Sequence, residues 1–335
     1  MKLAALKRRK FLQLSFWMGI SGLTSCSREA NAYLTATKET LPKSWLEKLP
    51  PPWRFKSLQA AGRKNPYRSS DANLADLIAM GDGWLNSSFH AKDLTELGKD
   101  DELFSDFNSQ SKLFIELQEE SLRKCLLPVG VSPWVMLFRN GDPWLSEAKK
   151  TWDVLLDPRL QEQIVFPRSP RLIMSIADQI GNGNDLKQLR LQALTLDDQN
   201  ATNWVLSGKA KVALLPMQRC LKNLRRDPRL QIALPREGAP LHWTIFIRPK
   251  NSFKPLPKSW IKESWNQPLM GKLLSEGWIP PLKHSDIKKN LERNDQSHYY
   301  KFLPEEEAWS NCWSLGHLNT FNQEKLEIRW EDSTP

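Results

Sequence analysis

The chain has few of the residues that build catalytic and metal-binding sites. Only four cysteines occur among 335 residues: Cys26, Cys125, Cys220 and Cys312. None forms a Cys-x-x-Cys pair, and no His/Cys cluster has metal-ligand spacing, so a zinc centre is excluded as an organising feature. Three scattered cysteines beyond Cys26 do not make a disulfide framework. One bridge among them is open in an oxidising compartment, and their positions do not choose the pair. The histidines, His90, His242, His284, His298 and His317, are dispersed. No Gly-x-Ser-x-Gly or similar local signature sets a nucleophile beside a base. Glu305-Glu306-Glu307 reads as a solvated helix start rather than an acid/base pair. The sequence therefore reads as a non-enzyme, with no cofactor and no metal.

Long apolar runs are missing too. The longest, from Leu14 to Leu23, falls short of the roughly 20 residues that a membrane-spanning helix needs. It follows Lys7-Arg8-Arg9-Lys10-Phe11-Leu12 and ends in Leu23-Thr24-Ser25-Cys26. A basic start, a short apolar stretch and small residues at its end make a secretory signal. Leu-Thr-Ser-Cys resembles the bacterial lipobox, which implies cleavage before Cys26 and a lipid on its thiol. Arg8-Arg9 resembles the twin-arginine export signal, although Lys7 stands where Ser or Thr is usual. Residues 1–26 are thus expected to direct the chain to the periplasm and hold it there by a lipid anchor.

That segment carries much of the positive charge. The formal net charge of +10 falls to +5 once residues 1–25, with five basic residues and no acid, are set aside. No basic run with interleaved aromatics remains, so nucleic acid is not an expected partner. About 310 residues are left, enough for two lobes with separate cores.

What the chain has in excess is tryptophan, 15 in all. Most should be core, because indole rings bury large area. Trp84 in Gly81-Asp82-Gly83-Trp84, Trp134 after Ser132-Pro133 and Trp243 in His242-Trp243-Thr244 sit instead in turn-like contexts. There, core packing and contact with a flat or cationic ligand are both open.

Short apolar runs alternate with helical patterns along the chain. Residues 33–37, 75–80, 126–131, 135–139, 164–167, 210–215, 231–234 and 243–247 read as strands, with Ser132-Pro133 as a break. Residues 101–125 read as mostly helical. Ser169 is expected as N-cap and Pro170 as first residue of a helix to Ile180. Gly208 and Gly277 are expected helix stops, and the tail from Leu282 is polar and partly helical. The alternation predicts an α/β fold with largely parallel sheets.

In order and spacing, segments 76–84, 128–139, 152–158, 164–171, 208–216 and 237–249 resemble family 1 extracellular solute-binding proteins, in particular the spermidine/putrescine-binding branch of ABC importers. The resemblance covers roughly residues 41–278. It implies a two-lobed periplasmic-binding-protein fold (type II), with a ligand cleft between lobes joined by crossing strands. The implied lobes are residues 30–130 with 243–283, and 131–242 with 284–335. It further implies a small-molecule solute, a polyamine by scaffold, and an inner-membrane permease as partner.

Ligands of open α/β sheets sit at the carboxyl ends of strands. That rule gathers Asp82, Trp84, Ser132, Trp134, Arg168, Ser169, Arg171, His242, Trp243 and Thr244 as candidate ligand contacts. The family's polyamine pattern is only partly present. His242-Trp243-Thr244 stands where the family has Trp-x-Asp, and Arg168-Ser169 replaces an acidic pair, so Asp82 is the remaining acid. Burying two ammonium groups without carboxylate partners is costly. Arg168 and Arg171 flank a helix N-terminus and suit a carboxylate or another anion instead. A periplasmic scaffold protein that has lost transport is the other reading. His298-Tyr299-Tyr300 is similar to the paired tyrosines of ferric-ion receptors of this fold, but it lies in the tail and is expected at the surface.

Overall fold

A single 13-residue strand organises the sheet. In the computed structural model, which describes residues 31–59, 65–69, 72, 74–97, 101–181, 185–252 and 254–335, the strands are β1 Ala32–Thr37, β2 Trp53–Leu58, β3 Leu77–Gly81, β4 Leu127–Arg139, β5 Ile164–Val165, β6 Ala193–Thr195, β7 Val212–Pro216, β8 Leu230–Ala233 and β9 Leu241–Ile247. They lie in the order β2-β1-β3-β9-β4-β7-β5-β6, with β8 also on β4. The first half of β4 pairs with β9, and its second half with β7 and β8. Within each half-sheet β1, β2 and β3, or β5, β6 and β7, run parallel. The antiparallel pairs all involve β4 or β9. This is the two-lobed α/β architecture expected, with β4 and β9 as the crossing strands.

Ser132-Pro133 does not break the strand, contrary to expectation. Proline has no N–H to give a ladder. Here it sits where β4 leaves one partner for the next: Pro133 faces Leu241 of β9 and Trp134 faces Pro216 of β7. The next amide, Trp134 N–H, donates to Pro240 O at 2.9 Å. The expected helix over 101–125 forms as three short pieces, Asp101–Phe104, Ser109–Glu116 and Glu120–Arg123. The parallel edge strand β2, following Pro50-Pro51-Pro52, was not evident from the sequence. The cap at Ser169 is present: its Oγ accepts from Leu172 N–H, and the helix Pro170–Ile180 follows. Gly208 and Gly277 stop their helices in the left-handed region at φ +77° and +80°.

Most of the tryptophan is structural. Trp45 stacks on Trp260 at 4.4 Å and packs against Trp278 at 5.0 Å and Phe246 at 5.7 Å. Each of Trp45 and Trp260 donates its indole N–H to the other's carbonyl, at 3.1 and 3.0 Å. Burial and satisfied polar edges thus coincide. Trp278 lies directly over Gly130 of β4, where a Cβ would have to occupy the indole's space. Trp152 is fully buried and donates to Gly238 O at 2.9 Å.

Cys125, Cys220 and Cys312 are all buried free thiols. Burial pushes the Cys220 and Cys312 thiols up to about 12. Among the described residues no helix is long and apolar enough to cross a membrane, and no group of three or more metal-ligating side chains occurs. Cys26 and Arg8-Arg9 lie outside the described residues.

The tail contains one buried histidine. The His284 ring stacks on Trp309 at 4.5 Å, and its Nδ1 lies 3.6 Å from Glu306, which also faces Lys288 at 3.6 Å. Neither ring nitrogen has a hydrogen-bond partner, and burial brings the imidazole from 6.5 down to about 4. The unfolded chain therefore takes the proton first as pH falls, so stability is lost between pH 6.5 and 4. His284→Phe, which keeps the stack without a titrating group, should flatten that loss in urea denaturation at pH 7.5 and 4.5. Gly130→Ala should lower stability by about 1–3 kcal/mol through overpacking against Trp278, measured in the same way.

Candidate functional site

The polar residues gather where the crossing strands meet. β3 ends at Gly81, and Asp82–Trp84 forms a 3₁₀ turn at its carboxyl end. Gly81 faces Thr244 of β9, which brings the Asp82 carboxylate onto the start of β9. Asp82 Oδ1 accepts the Trp243 N–H at 3.2 Å and lies 3.4 Å from His242 Nδ1. The His242 ring covers Gly81, where a Cβ would come within 2.7 Å of its Cε1. On the other side, the Trp134 ring meets His242 edge-on at 6.3 Å. Asp82, His242 and Trp134 thus form one cluster at the hinge, with Asp82 already engaged from within the protein.

Arg171 adds the positive charge. It stands in the first turn of Pro170–Ile180, half-buried, and donates through Nη2 to Gly316 O. Burial lowers its guanidinium, and the field of Asp82 raises it. The neighbouring Arg168 does not join them. It is exposed and paired with Asp197 at 2.7 Å. Ser169 Oγ is used as the helix cap, at 3.4 Å from Leu172 N.

Three of the expected contacts are buried. Ser132 Oγ accepts Gln218 N–H at 2.9 Å and thereby caps the start of the helix Met217–Leu224. Trp243 is 0% exposed, stacked on Phe114 at 4.9 Å, with its Nε1 donating to Ser314 Oγ at 2.8 Å. Thr244 is 1% exposed, between Gly81 and Gly130. The sequence set all three among its candidate contacts, and in the structure each is packed inside the protein. Successive residues of a strand point to opposite faces, and Trp243 takes the core face of β9 against Phe114. Trp84, by contrast, is 41% exposed, its ring 6.2 Å from Tyr67.

Other charged groups on these loops escaped the sequence reading. Arg219, in the helix that follows β7, pairs with Asp198 from its own half and lies 3.9 Å from Glu39, in the loop after β1. Both follow the ends of strands, the signal that could have found them. Tyr299 and Tyr300 do not make a metal site. Tyr299 packs against Gly271, and the Tyr300 hydroxyl donates to Lys288 O at 3.1 Å.

Solved structures resemble the chain in fold. The Tp0655 lipoprotein of Treponema pallidum matches with a TM-score of 0.63 at 12% identity, covering 90% of this chain and 99% of that one. The spermidine/putrescine ABC transporter substrate-binding protein of Streptococcus pneumoniae matches at 0.62 and 11%, with the same coverages of 90% and 99%. The apo ferric ion-binding protein A of Pasteurella haemolytica matches at 0.55 and 10%, covering 82% of this chain and 99% of its own. No protein-family model and no curated protein sequence matches the chain.

Asp82 holds the hinge as well as facing the site. Asp82→Ala should cost about 1–3 kcal/mol by leaving the Trp243 N–H unpaired, and Asp82→Asn distinctly less, because the amide oxygen still accepts. Chemical denaturation of both variants gives the comparison.

Proposed function

We propose that this protein is the solute-binding component of an ABC importer, exported to the periplasm and tethered there by a lipid on Cys26. The observation that carries the reading is the cluster of Asp82, Trp134 and His242 where β4 and β9 cross between two half-sheets. Such a crossing lets two lobes turn against each other around a bound solute. The fold shared with a spermidine/putrescine-binding protein supports a polyamine-type scaffold.

Within that scaffold, the charges favour a solute bearing an anionic group. Asp82 is the one retained acid of the polyamine pattern, and it already accepts the Trp243 N–H and faces His242. Arg171 brings a half-buried guanidinium that stands in the field of Asp82. A carboxylate or similar anion would find a fork-shaped donor there, whereas a diammonium chain would meet that positive charge. Trp84 and Trp134 would cover the apolar part of the solute.

Isothermal titration of the protein lacking residues 1–25 against putrescine, spermidine, amino acids and small carboxylates decides between these ligands. The expected result is micromolar binding of a carboxylate-bearing solute, weakened at least tenfold in Arg171→Met. Polyamine binding that is lost in Asp82→Asn would restore the polyamine ligand. No binding across the panel would favour the scaffold protein that has lost transport.

A further inference from the structure

The segment 311–317, in the tail, touches both half-sheets and the strand between them. Trp313 N–H donates to Ala239 O at 3.0 Å, and Leu241 N–H donates to Trp313 O at 2.7 Å, which adds a short parallel rung beside the start of β9. Ser314 Oγ takes the Trp243 indole N–H at 2.8 Å. Two residues further on the segment reaches the second half-sheet's helix Pro170–Ile180, where Arg171 holds Gly316 O. It then reaches the first half-sheet's helix Ser109–Glu116 and the residue after it, where His317 N–H donates to Leu117 O at 2.8 Å. Gly316 lies against Leu117 so closely that a Cβ would come within 3.1 Å of Leu117 O.

We propose that residues 313–317 form a strap that limits how far the two lobes open, with Arg171 as its latch on the second lobe. The strap is anchored by ladder bonds at the hinge and by Leu117 on the first lobe, whereas the second lobe reaches residue 316 through the Arg171 side chain. Turning the lobes apart must lengthen the path between Leu117 and Arg171. The bond at Arg171 joins a flexible side chain to a carbonyl, so it gives way before the backbone rung does. One hydrogen bond from a charged donor is enough to hold one arrangement in the majority without making it permanent. Arg171 also stands in the field of Asp82, so the same side chain is shared between the strap and the hinge cluster. The strap follows from the two-lobed fold and not from the ligand proposed above.

The test uses the full chain without ligand. Spin labels on Lys92→Cys and Lys187→Cys, exposed positions on opposite lobes, report the distance between lobes, while hydrogen exchange reports the strap amides. Cys26 is changed to Ser for labelling, and the native thiols of Cys125, Cys220 and Cys312 are buried and label slowly. Arg171→Met should broaden the distance distribution toward longer values and speed exchange at Trp313 and His317 about tenfold, the loss of one charged hydrogen bond. Arg171→Lys should recover part of both effects. Unchanged distances and unchanged exchange in folded Arg171→Met would overturn the strap. If that variant does not fold, Gly316→Ala acts at the other anchor by pushing the segment off Leu117. Broadening there supports the proposal, and a wild-type distribution overturns it. Solute binding does not enter either readout, so a failed titration and a failed strap remain distinct.

Discussion

The fold depends on β4 serving two sheets at once. A strand shared between half-sheets must keep its amides and carbonyls paired while its partner changes, since unpaired buried backbone groups are costly. Pro133 meets that constraint by having no N–H at the change of partner, and Trp134 N–H finds Pro240 O at once. The close approach of Trp278 to Gly130 and of His242 to Gly81 then brings side chains onto the strands at the crossing itself. Residues with larger side chains at 81 or 130 would separate those groups. The cluster at Asp82 is therefore a consequence of how the strands cross, and not an addition to it.

The same constraint explains how charge is distributed around the crossing. Arg168 and Arg219 each have an acid from their own half, Asp197 and Asp198, so their charges are spent locally. Both acids belong to the loop after β6, which folds back over the two arginines. Arg171 differs because the acid whose field it feels, Asp82, belongs to the other half-sheet. Of the three arginines it is the one whose electrostatics depend on how the halves are placed. Arg219 shares a little of this property through Glu39 at 3.9 Å, but Glu39 is largely exposed and water screens that pair.

Much of the framework was legible in the sequence, because it is written in local chemistry. Ser169 followed by Pro170 marks a helix start, Gly208 and Gly277 mark helix ends, and short apolar runs mark the strands. The order of those elements carried the two-lobed architecture. What was not legible were the pairings. Ser132-Pro133 reads as a break to any local rule, and only a strand with different partners before and after it makes the proline acceptable. For the same reason the sequence does not show that Trp243 is core: that face of β9 is set by Phe114, distant in sequence. Asp82 and Arg171 were legible as residues of the right type, but their mutual field is a property of the crossing.

The tail shows how a polar, weakly patterned segment acquires a place. Residues 313–317 hold two apolar side chains suited to a core, Trp313 and Leu315, and both are only partly buried. Their position comes instead from backbone bonds to Ala239, Leu241 and Leu117, and from groups that reach out to them, the Trp243 indole and the Arg171 guanidinium. Beyond them, the helix Thr320–Asp332 has no fully buried residue within it and is held by Arg190 over the Trp330 ring and by Arg329 on Asp178. Exposed ion pairs add little stability, so the strap rests mainly on its backbone bonds and on Arg171. A segment bound mainly by a few directional bonds detaches at low cost compared with one bound by apolar area. That low cost is what a limit on lobe motion requires, because a core-packed tail would hold the lobes immobile and a free tail would not hold them at all.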